Sequence, residues 1–216
     1  MIKPAYRDPI QTEYAQLAHR YDRRWSFYVE ATIAETLKRM QLRGEDRVLD
    51  LGCGTGTLIH RLLARAPAAQ VTGVDTCAEM LQMAQKKLPK TVALRVGSAE
   101  GLPLADSTVD VVVSTSAFHY FRNPQRALGE IRRVLRPGGQ VVITDWCHDY
   151  LTCQICDLLL RFNRAHVRAY SGAECQTMLQ GSGLQNIAIA RYKINWLWGM
   201  MTASAVNPDS DGPGTR

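Results

Sequence analysis

The 216-residue sequence lacks any apolar run that approaches the roughly 20 consecutive apolar residues of a membrane-spanning helix. Its first residues, MIKPAYRDPIQTEYAQ, lack the apolar stretch of a secretory signal. It also has no internal repeat and no linker long enough to separate domains. We therefore expect one cytoplasmic domain with a full hydrophobic core.

The chain has few cysteines, and they are scattered: Cys53, Cys77, Cys147, Cys153, Cys156 and Cys175. In a reducing compartment we expect thiols rather than disulfides. The stretch WCHDYLTCQIC offers four candidate metal ligands, Cys147, His148, Cys153 and Cys156, but its single C-x-x-C has no second pair. Because LTCQICDLLL is typical of the buried stripe of a helix, we expect core cysteines and no metal site.

Acidic residues are the minority, with 20 against 26 basic ones, which gives a net charge of +6. The clusters HRYDRRW, EIRRVLR and RFNRAHVR are candidates for an anionic partner, but acidic residues interrupt most basic clusters. We expect solvated helix faces. No N/D-P-P-Y motif is present, and no appended nucleic-acid domain fits in this length. No stable nucleic-acid partner is therefore expected.

The apolar pattern alternates between short strands and amphipathic helices. Strands are expected at RVLDL, QVTGVD, VALRV, VDVVVS and QVVITDW, and two closing strands at QNIAIARYKI and NWLWGMMTAS. Two helices are expected between Ile10 and Leu42, and another is opened by Pro124 and closed by Pro137, Gly138 and Gly139. CQICDLLLRF and GAECQTMLQGSG read as later helices. The pattern predicts an α/β fold with a parallel sheet.

A glycine loop, Gly52-Cys53-Gly54-Thr55-Gly56, follows the first expected strand. In a doubly wound sheet, ligands bind at the carboxyl ends of the strands. The G-x-G-x-G spacing differs from the G-x-G-x-x-G dinucleotide pattern, and Asp50 stands just before it. A carboxylate there repels a pyrophosphate and attracts a cation. S-adenosylmethionine carries an ammonium and a sulfonium and no phosphate, so the loop favours it over a nicotinamide dinucleotide.

Asp75 ends the second expected strand, where an acidic residue commonly binds ribose hydroxyls. This position indicates a nucleoside without choosing between dinucleotide and S-adenosylmethionine. The alternatives are structural: Asp50 as a turn or helix-capping acid, and Asp75 as a strand-terminal turn residue.

From Tyr14 to Trp146 the chain resembles the small Rossmann-like S-adenosylmethionine-dependent methyltransferases, especially the group of the ubiquinone/menaquinone C-methyltransferases. The resemblance rests on VLDLGCGTG, VTGVD, GSAEGLPLADSTVDVVVS and ALGEIRRVLRPGG, in this order. It implies a doubly wound, mostly parallel seven-stranded sheet of order 3-2-1-4-5-7-6, with strand 7 antiparallel. A single domain, residues 1–206, would comprise a helical lid (1–42) and a core (43–206), with residues 207–216 as an unpacked tail.

The resemblance also implies cofactor-binding residues. Asp50, Gly52, Cys53 and Gly54 would surround the methionine part, and Gly56 would let the next helix pack closely. Asp75 would bind the ribose, with Thr76 and Met80 flanking ribose and adenine. Ser98 stands where many relatives have an aspartate for the adenine amino group, beside the backbone N–H of Ala99. Ser114 would line the methionine side, and Tyr21 would close over it.

His119, in SAFHYF, is the candidate general base, with a purely structural role as the alternative. The candidate walls of the acceptor pocket are Tyr14, Phe118, Trp146 and Tyr150. Trp196 and Trp198 are expected to pack the last strand, although an exposed NWLWGMM would mark a lipid contact. We expect methyl transfer to a quinone-like, aromatic or lipidic small molecule by a monomer or homodimer. RNA or protein methylation, and cofactor binding without catalysis, stay open.

Overall fold

The computed structural model describes residues 9–160 and 168–208. Helices and strands alternate along most of this part of the chain. The helices are α1 (Pro9–Leu17), α2 (Tyr21–Arg24), α3 (Ser26–Arg39), α4 (Thr57–Arg65), α5 (Ala78–Lys87), α6 (Pro124–Val134), α7 (Leu151–Leu160) and α8 (Gly172–Gly181). The strands are β1 (Arg47–Leu51), β2 (Gln70–Asp75), β3 (Ala93–Val96), β4 (Val109–Thr115), β5 (Leu135–Trp146), β6 (Gln185–Lys193) and β7 (Gly199–Val206).

Within the described residues, the strands form one seven-stranded sheet of order β3-β2-β1-β4-β5-β7-β6. Neighbours from β3 to β5 pair in parallel, whereas β7 is antiparallel to both β5 and β6. This confirms the expected fold class and strand order. The chain places β2 and β3 on one side of β1 and then crosses from β3 to β4 on the other side. The strand order therefore reverses at β1, which is where such sheets bind ligands.

The sheet is covered on both faces, as the apolar runs of β1 and β4 predict. One core packs α6 and α8 against the sheet around Leu128, Ile131 and Ile143. The other packs α3, α4 and α5 around Ile59 and Leu62. These cores fix the carboxyl ends of β1, β2 and β4 side by side.

From Pro9 to Leu42 the structure has three helices, α1 to α3, where the sequence predicts two. The chain turns after α1, where the Arg20 N–H donates to the Leu17 carbonyl at 2.9 Å. Ala18 lies buried in this turn against Cys77 and Met80. Packing of this small side chain against the core therefore divides what the periodicity reads as one helix.

The helix that begins at Pro124 ends at Val134, earlier than expected. Leu135 is fully buried and pairs with Val109, so β5 starts there and runs through the PGG sequence. The burial of Leu135 in the sheet therefore ends the helix at Val134, before the chain reaches the helix-stop signal at Pro137.

The expectation of an unpacked tail from residue 207 onward is wrong for its first residue, because Asn207 is buried. Its N–H donates to the Gly139 carbonyl at 2.8 Å, and its Nδ2 donates to the Leu135 carbonyl at 2.9 Å. The rest of that expectation, from residue 209, lies outside the described residues, as do the end of CQICDLLLRF and most of RFNRAHVR. None of the described helices is long and apolar enough to cross a membrane.

Candidate cofactor and acceptor site

A cavity of about 330 Å³ lies between the lid helices and the carboxyl ends of β1, β2 and β4. Its size falls within the roughly 300–1,000 Å³ of small-molecule sites. The glycine loop forms one side, and the segments that follow β2, β3 and β4 form the others. Ile10, Gln11, Tyr14, Tyr21 and Val29 reach it from the lid. The cavity therefore lies where the loop and the expected topology place a ligand.

Asp50 lies in the wall of this cavity with an unsatisfied carboxylate. The side chain is buried, and its Oδ2 has no hydrogen-bond partner among the described residues. Burial, with a smaller contribution from the nearby Asp75, raises the pKa of Asp50 to about 8. A buried polar atom without a partner is costly, so the arrangement suits a ligand that brings a donor or a positive charge.

The glycine loop has a backbone that other residues would not adopt. Gly52, Gly54 and Gly56 have φ values of +75°, +51° and +76°. A Cβ on Gly52 would lie 2.4 Å from the Ala117 Cβ, and one on Gly56 would lie 2.6 Å from Leu88 Cδ1. Gly56 thus permits close packing between the loop and the C-terminal end of α5, whereas the expectation concerned α4, the helix that follows the loop. Gly54 has open space beside it, since nothing lies within 4 Å of its would-be Cβ.

Asp75 connects the loop to the end of β2. Its Oδ2 accepts from the Gly54 N–H and its Oδ1 from the Cys77 N–H, both at 2.8 Å. Burial raises its pKa above the usual value. Each carboxylate oxygen accepts more than one hydrogen bond, so Asp75 retains capacity for hydroxyl donors in the cavity.

Beyond Asp75, the cavity wall becomes more apolar. Met80, Ala99 and Phe121 line it, and all three side chains are buried. Ser98 lines the same part, and its hydroxyl donates to the Glu100 carboxylate. A flat ring with polar edge groups fits this combination. Thr76 and Cys53 also line the cavity.

The lid is attached to the core through Asp22 of α2. Its carboxylate accepts from Lys87 Nζ and Thr55 Oγ1, each at 2.5 Å, and from Thr57 Oγ1 at 3.3 Å. Although burial acts to raise the pKa of Asp22, these hydrogen bonds and the Lys87 charge hold it below the usual value. One carboxylate therefore joins the lid to both the glycine loop and α5.

Three tyrosines form the side of the cavity next to the lid. The Tyr14 hydroxyl donates to the Tyr120 hydroxyl at 2.9 Å, and the rings of Tyr14 and Tyr21 lie 5.8 Å apart. Burial raises the pKa of Tyr120 to about 12 and those of Tyr14 and Tyr21 further above the usual value of phenols. All three are therefore neutral near pH 7 and act as hydrogen-bonding groups.

His119 does not line the cavity. Its Nδ1 lies 2.7 Å from Asp145 Oδ1, and its backbone N–H donates to Asp145 Oδ2 at 2.9 Å. The imidazole stacks on Trp146, with ring centroids 5.1 Å apart, and its centroid lies 3.9 Å from that of Tyr120. Tyr120 does line the cavity, so its ring contacts both the imidazole and the site.

Four other expected site residues lie away from the cavity. Ser114 is fully buried, and its hydroxyl donates to the Leu51 carbonyl of β1 at 2.8 Å. Phe118 is only 1% exposed, because its ring packs in the core between Phe121 and Tyr170. The ring of Tyr150 lies against the backbone of Gly199.

The fourth, Trp146, belongs to an aromatic cluster that we define as Trp25, Tyr28, Trp146 and Trp198. The rings of Trp146 and Tyr28 each lie within about 5.2 Å of the Trp198 ring. Trp146 Nε1 donates to the Tyr28 hydroxyl at 2.8 Å. The same hydroxyl bonds Ser116 Oγ at 2.7 Å, and Ser116 lines the cavity. The aromatic cluster thus begins at the cavity wall.

Trp198 is half-buried in this cluster, whereas Trp196 is 80% exposed. The expectation that both pack the last strand is therefore wrong for Trp196, whose side chain extends from the turn between β6 and β7.

Several residues line the cavity that the sequence does not single out as site residues: Gln11, Thr55, Glu100, Ser116 and Tyr120. Ser116 was detectable in principle, because it follows β4 directly. It has a φ of +54°, a backbone conformation that turns the chain into the site. Gln11 and Glu100 left no signal, because their positions depend on how the lid and the loop after β3 fold back.

The cysteine-rich stretch packs into the interior. Cys147 and Cys153 are buried, and the Cys153 thiol donates to the Gly199 carbonyl at 3.1 Å. Burial raises the pKa of Cys147 to about 11. No group of three or more potential metal ligands occurs in the described ranges 9–160 and 168–208.

The fold is Rossmann-like, and Asp50 gives the cavity beside the glycine loop an acidic wall. Residues 49–143 match the family described as "Methyltransferase domain". An uncharacterised methyltransferase of Bacillus subtilis, YcgJ, is 30% identical over 192 residues, which cover 85% of this chain and 75% of that protein. The chain belongs to the Rossmann-like, S-adenosylmethionine-dependent methyltransferases.

This chain spans less than half the length of other curated relatives that it matches. An uncharacterised methyltransferase of Mycobacterium tuberculosis is 50% identical over 95 residues, or 44% of this chain, but these span only 37% of the mycobacterial protein. Among solved structures, the complex between the Haloferax volcanii Trm112 methyltransferase activator and its methyltransferase contains a chain with a TM-score of 0.82. At 24% identity over 94% of this chain and all of that one, it shows the shared fold.

Proposed function

We propose that this protein transfers the methyl group of S-adenosylmethionine to a small-molecule acceptor. The observation that supports this most strongly is the buried, unpartnered Oδ2 of Asp50 beside the glycine loop. A positively charged ligand group satisfies that oxygen, whereas a pyrophosphate leaves it unpaired and repels it once it is ionised. The cavity residues therefore fit this cofactor and disfavour a nicotinamide dinucleotide.

In this proposal each part of the cavity has one task. Asp50 binds the ammonium group, Asp75 accepts the ribose hydroxyls, and Ser98 and Ala99 border the adenine. When bound, the cofactor supplies an electrophilic methyl carbon on a sulfonium, with a neutral thioether as leaving group. The residues of the lid exclude water and hold the acceptor in line, which accounts for much of the rate of such a displacement.

We infer that the acceptor is planar or apolar, of the quinone-like, aromatic or lipidic kind. The supporting feature is the aromatic cluster, which joins the cavity wall through Ser116. Aromatic faces bind flat and apolar groups by burial and ring stacking. The cofactor side of the cavity, in contrast, is rich in carboxylates and hydroxyls.

We keep His119 as the proposed general base, with Asp145 as the residue that orients it. The carboxylate accepts from Nδ1 and so favours the tautomer in which Nε2 is the basic nitrogen. Because Tyr120 lies between the imidazole and the cavity, the base role requires this ring to relay the proton or to move. His119→Asn is expected to lower turnover about a hundredfold and to change its pH profile. His60→Asn, at an exposed position, is the control; unchanged turnover in the His119 variant assigns that residue to the scaffold.

The proposed function is tested by titrating the purified protein in a calorimeter with S-adenosylmethionine, S-adenosylhomocysteine and NAD. We expect heat from the first two and none from the third. A screen of cell extracts with methyl-labelled cofactor then identifies the acceptor from the labelled product. The proposal is contradicted if the protein binds NAD but neither of the other two ligands. It is also contradicted if the protein binds the cofactor stably but yields no labelled product from extracts or from pure quinones, phenols and lipids.

A further inference from the structure

Ser98 and Glu100 form a hydrogen-bonded pair on the β3 side of the cavity. The Ser98 hydroxyl donates to Glu100 Oε2, and the Glu100 N–H donates back to Ser98 Oγ at 3.2 Å. The other carboxylate oxygen, Oε1, accepts from the N–H groups of Arg122 and Asn123 at 3.1 and 3.3 Å. The backbone that leads into α6 therefore fixes the direction in which Glu100 faces.

This arrangement determines what the serine offers to a ligand. A hydroxyl has one hydrogen to donate and two lone pairs to accept. In Ser98 the hydrogen is committed to the Glu100 carboxylate, which only accepts, and one lone pair receives the Glu100 N–H. One lone pair is left, so Ser98 presents an acceptor to the cavity and no donor.

We propose that Glu100 is a positioning residue that makes Ser98 an obligate acceptor, so that the site selects a purine with a 6-amino group over one with a 6-oxo group. This inference rests on the proposed function, which places a nucleoside here. Asp75 at the end of β2 binds the ribose, and the next segment, after β3, is left for the base. The apolar side chains of Met80, Ala99 and Phe121 line that part of the cavity for a flat ring.

The pair also explains how the site works without the aspartate found here in many relatives. A serine hydroxyl alone rotates and serves as donor or acceptor, so it does not distinguish an amino group from a carbonyl. Hydrogen bonding to a fixed carboxylate removes that freedom and strengthens the acceptor. Ser98 and Glu100 together thus supply the negative, accepting edge that a single carboxylate supplies elsewhere.

The test compares the affinities of S-adenosylhomocysteine and its deaminated analogue S-inosylhomocysteine, measured by calorimetry. The proteins are the wild type, Glu100→Gln, Ser98→Ala and the double variant. In Glu100→Gln, the backbone N–H groups of Arg122 and Asn123 hold the amide oxygen, so the amide NH₂ faces Ser98. The serine hydrogen is then released to donate to a 6-oxo group.

We expect the wild type to prefer the adenosine compound, and Glu100→Gln to reduce this preference by about tenfold or more. Ser98→Ala should also reduce it, and adding Glu100→Gln to Ser98→Ala should have no further effect. Contacts to the rest of the ring are common to the four proteins and cancel in this comparison. Each preference is a ratio within one protein, so a general loss of stability does not imitate the effect.

Three results would each overturn the inference. The wild type could bind both compounds equally, or Glu100→Gln could leave the preference unchanged. The third is that Glu100→Gln reduces the preference as much in the Ser98→Ala protein as in the wild type. Failure of the wild type to bind S-adenosylhomocysteine at all contradicts the proposed function instead, so the two failures are distinguishable.

Discussion

Lys87 and Asp22 join the core to the lid: Nζ of Lys87, in the last turn of α5, lies 2.5 Å from Oδ2 of Asp22 in α2. The same carboxylate accepts from Thr55 in the glycine loop. Both partners are partly exposed, so we assign this ion pair a modest energy. Its position matters more, because it lies at the base of the lid helix that carries Tyr21 into the cavity.

Asp22→Asn is expected to speed the release of S-adenosylhomocysteine about three- to tenfold, because the lid opens more often when this contact is weakened. Stopped-flow fluorescence measures the release rate. Glu30→Gln is the matched control, since the Glu30–Arg61 pair also joins the lid to the core but lies in solvent. An equal effect of the two substitutions would show that the contact with the loop has no special role.

Gly52→Ala is expected to lower the free energy of unfolding by about 2 kcal/mol and to abolish cofactor binding. The new Cβ would lie 2.4 Å from the Ala117 Cβ on a residue with φ of +75°. Gly129→Ala in α6 provides the contrast, because nothing lies within 4 Å of its would-be Cβ. We expect that change to stabilise the protein by about 0.5–1 kcal/mol, owing to helix propensity. Urea denaturation measures both, and a stable Gly52→Ala protein would refute the loop geometry.

Asp145→Asn is expected to lower the free energy of unfolding by about 2 kcal/mol. The buried carboxylate accepts from the His119 N–H, His119 Nδ1 and the Trp146 N–H, and an amide presents a donor to at least one of them. Asp106→Asn should cost less than about 1 kcal/mol, because its ion pair with Arg133 is exposed. Similar losses in the two variants would mean that the Asp145 hydrogen bonds contribute little.

How much of this follows from the sequence depends on the kind of feature. The alternation of strands and helices, the glycine loop and the positions of Asp50 and Asp75 follow from buried runs and loop spacing, whereas the strand order is what the resemblance to the methyltransferases implies. Ser114 illustrates the limit: it and Ser116 lie on the same side of the strand pattern, and only the positive φ of Ser116 decides which one lines the cavity.

The candidate acceptor residues after β4 are harder to place from the sequence, because side-chain direction again decides which of them reaches the cavity. Phe118, His119 and Tyr120 occupy a single 3₁₀ turn, in which neighbouring side chains point in different directions. The sequence names Phe118 and His119 as candidates, but tertiary packing places Phe118 in the core and His119 on Asp145, and brings Tyr120 to the cavity instead. No local pattern encodes that division.

The affinity for S-adenosylmethionine should rise with pH toward about pH 8. Burial raises the pKa of Asp50 to about 8 in the free protein, so near pH 7 most molecules must lose this proton before the ammonium binds an ionised carboxylate. Each pH unit below 8 should weaken binding by up to about tenfold until the lower pKa of the bound state is reached. Titration at pH 6, 7 and 8, in buffers of different ionisation enthalpy, should detect the proton released. Binding that is independent of pH over this range would contradict it.

The most direct test of the account compares the wild type with Asp50→Asn in calorimetric titrations with S-adenosylhomocysteine and with 5′-methylthioadenosine, which lacks the amino acid part. The exposed Glu45→Gln serves as the control. If Asp50 binds the ammonium group, Asp50→Asn lowers affinity for S-adenosylhomocysteine at pH 8 by about tenfold or more, leaves 5′-methylthioadenosine unchanged, and abolishes the pH dependence. Equal losses for the two ligands, or no loss for either, would contradict it.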